Sequence, residues 1–94
     1  MQIIENWTDV EGEVKHTEPS KVSDDFVSVS FEVNHSKPVE GFANLVDAAK
    51  GQTLTVEVPK HAAELLQKGA TIVSRIRRAT NKNIFAHPEL TKAK

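Results

Sequence analysis

The most constraining feature of the chain is a double change of hydrophobic period between Thr53 and Ala86. In Thr53-Leu54-Thr55-Val56-Glu57-Val58, the apolar Leu54, Val56 and Val58 alternate with polar residues. A period of two with β-branched residues marks a half-buried strand. Pro59 ends it, because proline has no N–H to give to a ladder. The period then lengthens: Ala62, Leu65 and Leu66 stand at i, i+3 and i+4, which predicts a short helix over 60–68. Pro59 suits its start and Gly69 the left-handed position past its end. From Ala70 to Ala79 the period returns to two, with Ile72 and Ile76 on one face and Val73, Arg75 and Arg77 on the other. Thr80–Asn83 reads as a turn and Ile84–Ala86 as a short last strand before His87-Pro88. A two-turn helix does not persist alone in water. Between two strands, it is expected to plug the open end of a barrel.

Upstream, Ile3–His16 reads as a long, bent strand. Ile4, Asn6, Thr8, Val10, Gly12 and Val14 share one parity; Trp7 lies on the other with Glu5, Asp9, Glu11 and Glu13. Gly12 in mid-strand predicts a bulge where the strand turns a corner. Thr17–Asp25 is read as a loop and Phe26–Val33 as the clearest strand, with Val27, Val29, Phe31 and Val33 toward the core. Asn34–Pro38 is read as a turn. Val39–Gln52 fits two patterns, and the reading taken is an extended piece to about Leu45 followed by a turn of helix. Val27, Val29, Phe31, Val56, Leu65 and Ile76 are expected to be buried together. The expected fold is mostly β: a small antiparallel, OB-like barrel of five to six strands with one short helix. An immunoglobulin-like β-sandwich also accepts short alternating strands and is the alternative. Residues 1–90 form the single β-barrel-like domain in this reading, and 91–94 a short basic tail expected to be disordered.

The 94 residues include no cysteine, so disulfides and thiol chemistry are absent. No apolar run approaches the roughly 20 residues of a membrane span, and the first residues carry no signal-like pattern. A cytoplasmic protein without membrane contact is the expectation. The net charge of −1 hides a division: residues 1–59 hold four lysines against eleven acids, and 60–94 hold eight lysines and arginines against two. Either acidic and basic surfaces balance for solubility, or the basic segment faces an anionic partner.

Gly51–Ala79 resembles the Mop/TOBE domains, OB-fold ligand-binding modules. The likeness lies in Leu54-x-Val56-x-Val58, Ala62-x-x-Leu65, Gly69 and Ile72-x-x-x-Ile76. It implies an OB barrel and a small oxyanion such as molybdate, bound at a subunit contact. The family's domain is shorter than this chain, and residues 34–52 have no counterpart in it.

No phosphate-binding glycine loop, dinucleotide fingerprint or nucleophile elbow occurs. His16, His35, His61 and His87 lack paired metal-ligand spacing, and the carboxylate pairs Asp24-Asp25 and Glu11/Glu13 have no evident partner base. The expectation is a non-catalytic protein with no cofactor and no metal. What remains is a basic constellation: Arg75 and Arg77 on one face of a strand, Arg78 on the other, Lys82 in the adjoining turn. Arginines at i and i+2 stand about 7 Å apart, which suits successive phosphates of an extended strand. Phe85 and Trp7 are the candidate stacking rings, although a place in the core (Phe85) or at its edge (Trp7) is open for each. Arg75 and Arg77 could instead pair with Glu57 or another acid on a neighbouring strand. Three functions therefore stand: a module binding single-stranded nucleic acid or another anionic partner, a protein-interaction or accessory subunit that could pair with its own copy as a homo-oligomer, and a Mop-like oxyanion binder.

Overall fold

A computed structural model of the chain describes residues 6–43, 46, 49–64, 66–79, 83–87 and 89–93. Its elements are β1 (Thr8–Pro19), β2 (Phe26–Pro38), β3 (Thr53–Pro59), α1 (Lys60–Ala63), β4 (Thr71–Arg78), β5 (Ile84–Ala86) and β6 (Lys92–Ala93). The strands follow one another as β1-β2-β3-β5-β4, and β4 pairs back onto β1, so five strands close a barrel. β6 is an extra strand on the edge of β4. Because β1 bonds to both β2 and β4, the strands form one closed ring and not two facing sheets, which decides against the sandwich. All pairings between named strands are antiparallel except the β3–β5 contact, Glu57 beside Phe85, which is parallel.

Side-chain parity sorts inside from outside. Val10 and Val14 of β1, Val29, Phe31 and Val33 of β2, Leu54, Val56 and Val58 of β3, and Ile72 and Ile76 of β4 fill the barrel. Val27 is partly buried against this core; the expected burial of Leu65 falls outside the described residues. Gly12 marks the corner of β1, with a register shift between Glu11 and Gly12. A Cβ there would overlap the Glu32 carbonyl oxygen and lie 2.5 Å from Phe31 Cδ2, so only glycine lets β1 lie this close to β2.

Several sequence expectations change. The helix is a single turn, Lys60–Ala63, not 60–68. After it the chain must reach the edge of β1, where Gly69 N donates to Val14 O (2.8 Å) and Val14 N to Ala70 O (2.9 Å). On the way there Leu66 N donates to Ala63 O and Ala70 N to Gln67 O (both 2.9 Å), turn bonds spanning three residues that take the place of a continued four-residue helical ladder. Ala62 and Leu66 still enter the core, and Gly69 takes the left-handed conformation (φ 90°). Asn34–Pro38 is not a turn: β2 continues through it, pairing with Thr8–Glu11. β1 likewise runs to Pro19, leaving Ser20–Asp25 as the loop. The described residues of 39–52 form neither strand nor helix; Ala43 makes one bridge to Asn6, and Val46 enters the core. Thr91 to Ala93 does not trail away. Thr91 is buried, its hydroxyl meets Ser74 Oγ (2.7 Å) and donates to His87 O (2.7 Å), and β6 follows. Among the described residues no helix is long and apolar enough to cross a membrane.

Candidate functional site

The outer parity of the strands, not the core, carries Trp7, Arg75, Arg77 and Phe85, whereas Arg78 has the inward parity of Ile72 and Ile76 and is exposed only because it ends β4. Just before β1 and on it the outer parity holds Trp7, Asp9 and Glu11, on β4 Val73, Arg75 and Arg77, and on β5 and just beyond it Phe85 and His87. β1 and β4 run in register from Thr8–Ile76 to Glu13–Thr71. The ladder ends at Thr8–Ile76; extended by one residue, its register would put the position of Trp7 opposite Arg77. On its other side Arg77 is the cross-strand partner of Phe85. Arg77 therefore has the half-buried Phe85 beside it on β5, and the half-buried Trp7 just before β1 on its other flank. Each ring is braced: Trp7 by the His87 ring (centroids 5.4 Å apart), Phe85 by the edge of Phe26 (5.4 Å).

Arg75, two residues away, is committed elsewhere. Its Nε and Nη2 donate to the two oxygens of Asp9 at 2.8 and 3.2 Å. That bonding holds Arg75 above the ordinary arginine pKa, with the hydrogen bond as the larger cause and the charge of Asp9 adding to it. Arg77 and Arg78 form no ion pair with any described residue. The exposed Arg78 is fixed through its backbone. The buried Asn6 side chain accepts from Arg78 N (2.8 Å) and donates to Arg78 O (3.0 Å), acting as one more rung of the β1–β4 ladder. Lys82 lies outside the described residues. The structure thus brings Trp7, Arg77 and Phe85 together, sets Arg78 at the strand end beside them, and ties Arg75 to a carboxylate.

The pairing with an acid on a neighbouring strand holds for Arg75, whose acid is Asp9 and not Glu57, and Arg77 has no such pair among the described residues. Phe85 stands between Glu57 and Arg77 in one cross-strand row. Glu57 is buried (6% exposed) although it lies on the outer parity of β3. Ser28 Oγ lies 2.9 and 2.8 Å from its two oxygens, and Ser20 Oγ from the loop after β1 also donates to it. Next to this cluster, Ser30 meets Thr55 hydroxyl to hydroxyl at 3.0 Å. Sequence parity placed Glu57 and Ser28 in water; the loop at Ser20 covers them.

A groove of about 330 Å³ opens on the other side of the Asp9–Arg75 pair. β2 contributes His35 and Lys37, β1 Glu11, β4 Val73, and Leu90 stands over it. Neither His35 nor Lys37 was singled out for a site by sequence, because residues 34–38 read as a turn. Once β2 is known to continue, the register sets Lys37 beside Asp9 and His35 beside Glu11. Among the described residues no three of His, Asp or Glu cluster as metal ligands would.

The fold and site together define a small closed β-barrel with a cation between two rings on its outer surface. Comparison of the chain with protein-family models, with curated proteins and with solved structures gives no match in any of the three.

Proposed function

We propose that this barrel is a non-catalytic module that binds single-stranded nucleic acid on its β1–β4–β5 face. The observation that carries this reading is Arg77, flanked by Trp7 and Phe85 and without a described carboxylate partner. A flat ring stacks on any base, and a cation beside it holds the phosphate between stacked bases. Arg78 at the strand end supplies a second phosphate contact. Arg75 contributes order to the platform, because its charge is answered by Asp9. The β2–β3 face is the poorer candidate. It presents hydroxyls bonded to one another and carries Glu32 and Glu57, which repel phosphate.

The test is a titration with a labelled single-stranded oligonucleotide at 50 and 200 mM salt. Two phosphate contacts on a single strand give a log–log salt slope near −1.4, so affinity drops roughly sevenfold over this range. Arg77→Ala should weaken binding and flatten the slope by about 0.7. Trp7 is the sole tryptophan, so stacking should also quench the intrinsic fluorescence. No binding at 50 mM salt would sink the proposal. Molybdate binding in its place would make the Mop/TOBE resemblance of residues 51–79 the better guide.

A further inference from the structure

We infer that the groove bounded by Lys37, Val73, the Asp9–Arg75 pair and Leu90 is a pocket for a single nucleobase, seated a short way along the strand from the Trp7–Arg77–Phe85 platform; this rests on the function proposed above. Three features select a base over a phosphate or an apolar group. First, the groove is formally neutral: Asp9 and Glu11 balance Lys37 and Arg75. A neutral groove offers no net attraction to phosphate, yet it provides donors and acceptors for the polar edge of a heterocycle. Second, the Arg75 guanidinium is held flat by two hydrogen bonds to Asp9, so it is already ordered before a ligand arrives. Guanidinium planes are surfaces on which unstacked bases rest. Third, Val73 is half-buried and Leu90 is 42% exposed, giving an apolar floor and wall for the faces of a ring. At about 330 Å³ the space lies at the small end of small-ligand sites, which run from roughly 300 to 1,000 Å³.

Position supports the same occupant. Val73 and Arg77 lie on one outer parity of β4, four residues apart, which is about 13 Å along the strand. The Asp9–Arg75 pair lies between them. A single strand with its backbone at Arg77 and one base on Trp7 or Phe85 can therefore place a later base in the groove. A mononucleotide reaches only one of the two places.

The experiment is an anisotropy titration of labelled (dA)10 against the wild type, Val73→Met, Leu90→Ala and Arg77→Ala, each at 50 and 200 mM salt. Val73→Met fills the groove and Leu90→Ala removes its wall. Neither alters charge, and Leu90 is exposed enough for the second to fold. The pocket predicts that both lower affinity about five- to tenfold with an unchanged salt slope, whereas Arg77→Ala lowers affinity and flattens the slope. Wild-type affinity in both groove variants overturns the pocket and leaves the platform standing. Absence of wild-type binding to (dA)10 at 50 mM salt overturns both.

Discussion

On the β2–β3 side of the barrel, Glu57 is buried and answered by the hydroxyls of Ser20 and Ser28. One strand away on the same outer surface, Arg77 stands between Trp7 and Phe85 with no described carboxylate to answer it. Phe85 separates the two, so an ion pair that would neutralise both is blocked by a ring. The first patch satisfies itself at the moment of folding. The second keeps a partly exposed charge and two ring faces with no ion pair among the described residues, and these are what the proposed function uses. Buried polar groups are almost always hydrogen-bonded, so the Glu57 cluster needs no ligand to explain it. The cation between rings has no such internal account, and binding is assigned to that side.

The largest expected effect comes from joining the two patches wrongly at their shared strand. Gly12 sets the bend of β1 against β2, and Gly12→Ala drives a methyl into the Glu32 carbonyl and the Phe31 ring. Overpacking there should cost roughly 3 kcal/mol, seen as a lower denaturant midpoint with the same slope. A midpoint within error of wild type would mean that the close approach at Gly12 is not required. Next in size is the hydroxyl patch. Ser28→Ala strips a donor from a carboxylate that stays buried and should cost about 1–3 kcal/mol. Oligonucleotide affinity should not move with it; a parallel loss of affinity would blur the line between the two sides. Arg77→Ala should show the reverse: stability within about 0.5 kcal/mol of wild type, because nothing described is bonded to it, and a clear loss of binding. Asp9→Asn removes the charge that answers Arg75. The salt slope for oligonucleotides should steepen by about 0.7, the mark of one more phosphate contact, while the groove loses the charge that orders its guanidinium. The smallest effect belongs to Lys15, which is exposed, bonded to Glu13 and 3.6 Å from Glu32. Its pKa is raised chiefly by the hydrogen bond it donates to Glu13. Its contribution is therefore complete below the unfolded lysine value of about 10.4 and fades as pH climbs through the higher folded value. In an alkaline stability profile, wild type should be slightly more stable than Lys15→Met below about pH 10.4, and the gap should close as pH climbs through that range.

The barrel was legible because its strands obey parity. β3, β4 and β5 lie where alternation put them, and Val29, Phe31, Val56 and Ile76 are buried as their parity required. Gly12 was readable as a corner because glycine in mid-strand has few other uses. What parity could not give is which strands lie side by side. Asp9 and Arg75 share an outward face, but their ion pair depends on β1 and β4 being neighbours, 66 residues apart in sequence. The same holds for Glu57, whose burial comes from a loop residue 37 positions away. Asn34–Pro38 was misread because Asn, His, Ser, Lys and Pro together look like a turn. Pairing with β1 overrides that composition, and the groove beside Lys37 and His35 was hidden with it. The Thr91–Ala93 segment shows a similar override, since Lys92 and Ala93, of low strand propensity, are held by the buried Thr91 hydroxyl before them and an available edge of β4.

The assignment of binding to one side is best tested by mapping backbone amide shifts of the labelled protein during titration with (dA)10 at 50 mM salt. The account predicts that the amides perturbed are those of Trp7, Val73, Arg77 and Phe85 and their neighbours, while Ser30, Thr55 and Glu57 stay in place. Shifts centred on Ser30 and Thr55, or no shifts at all, would contradict it.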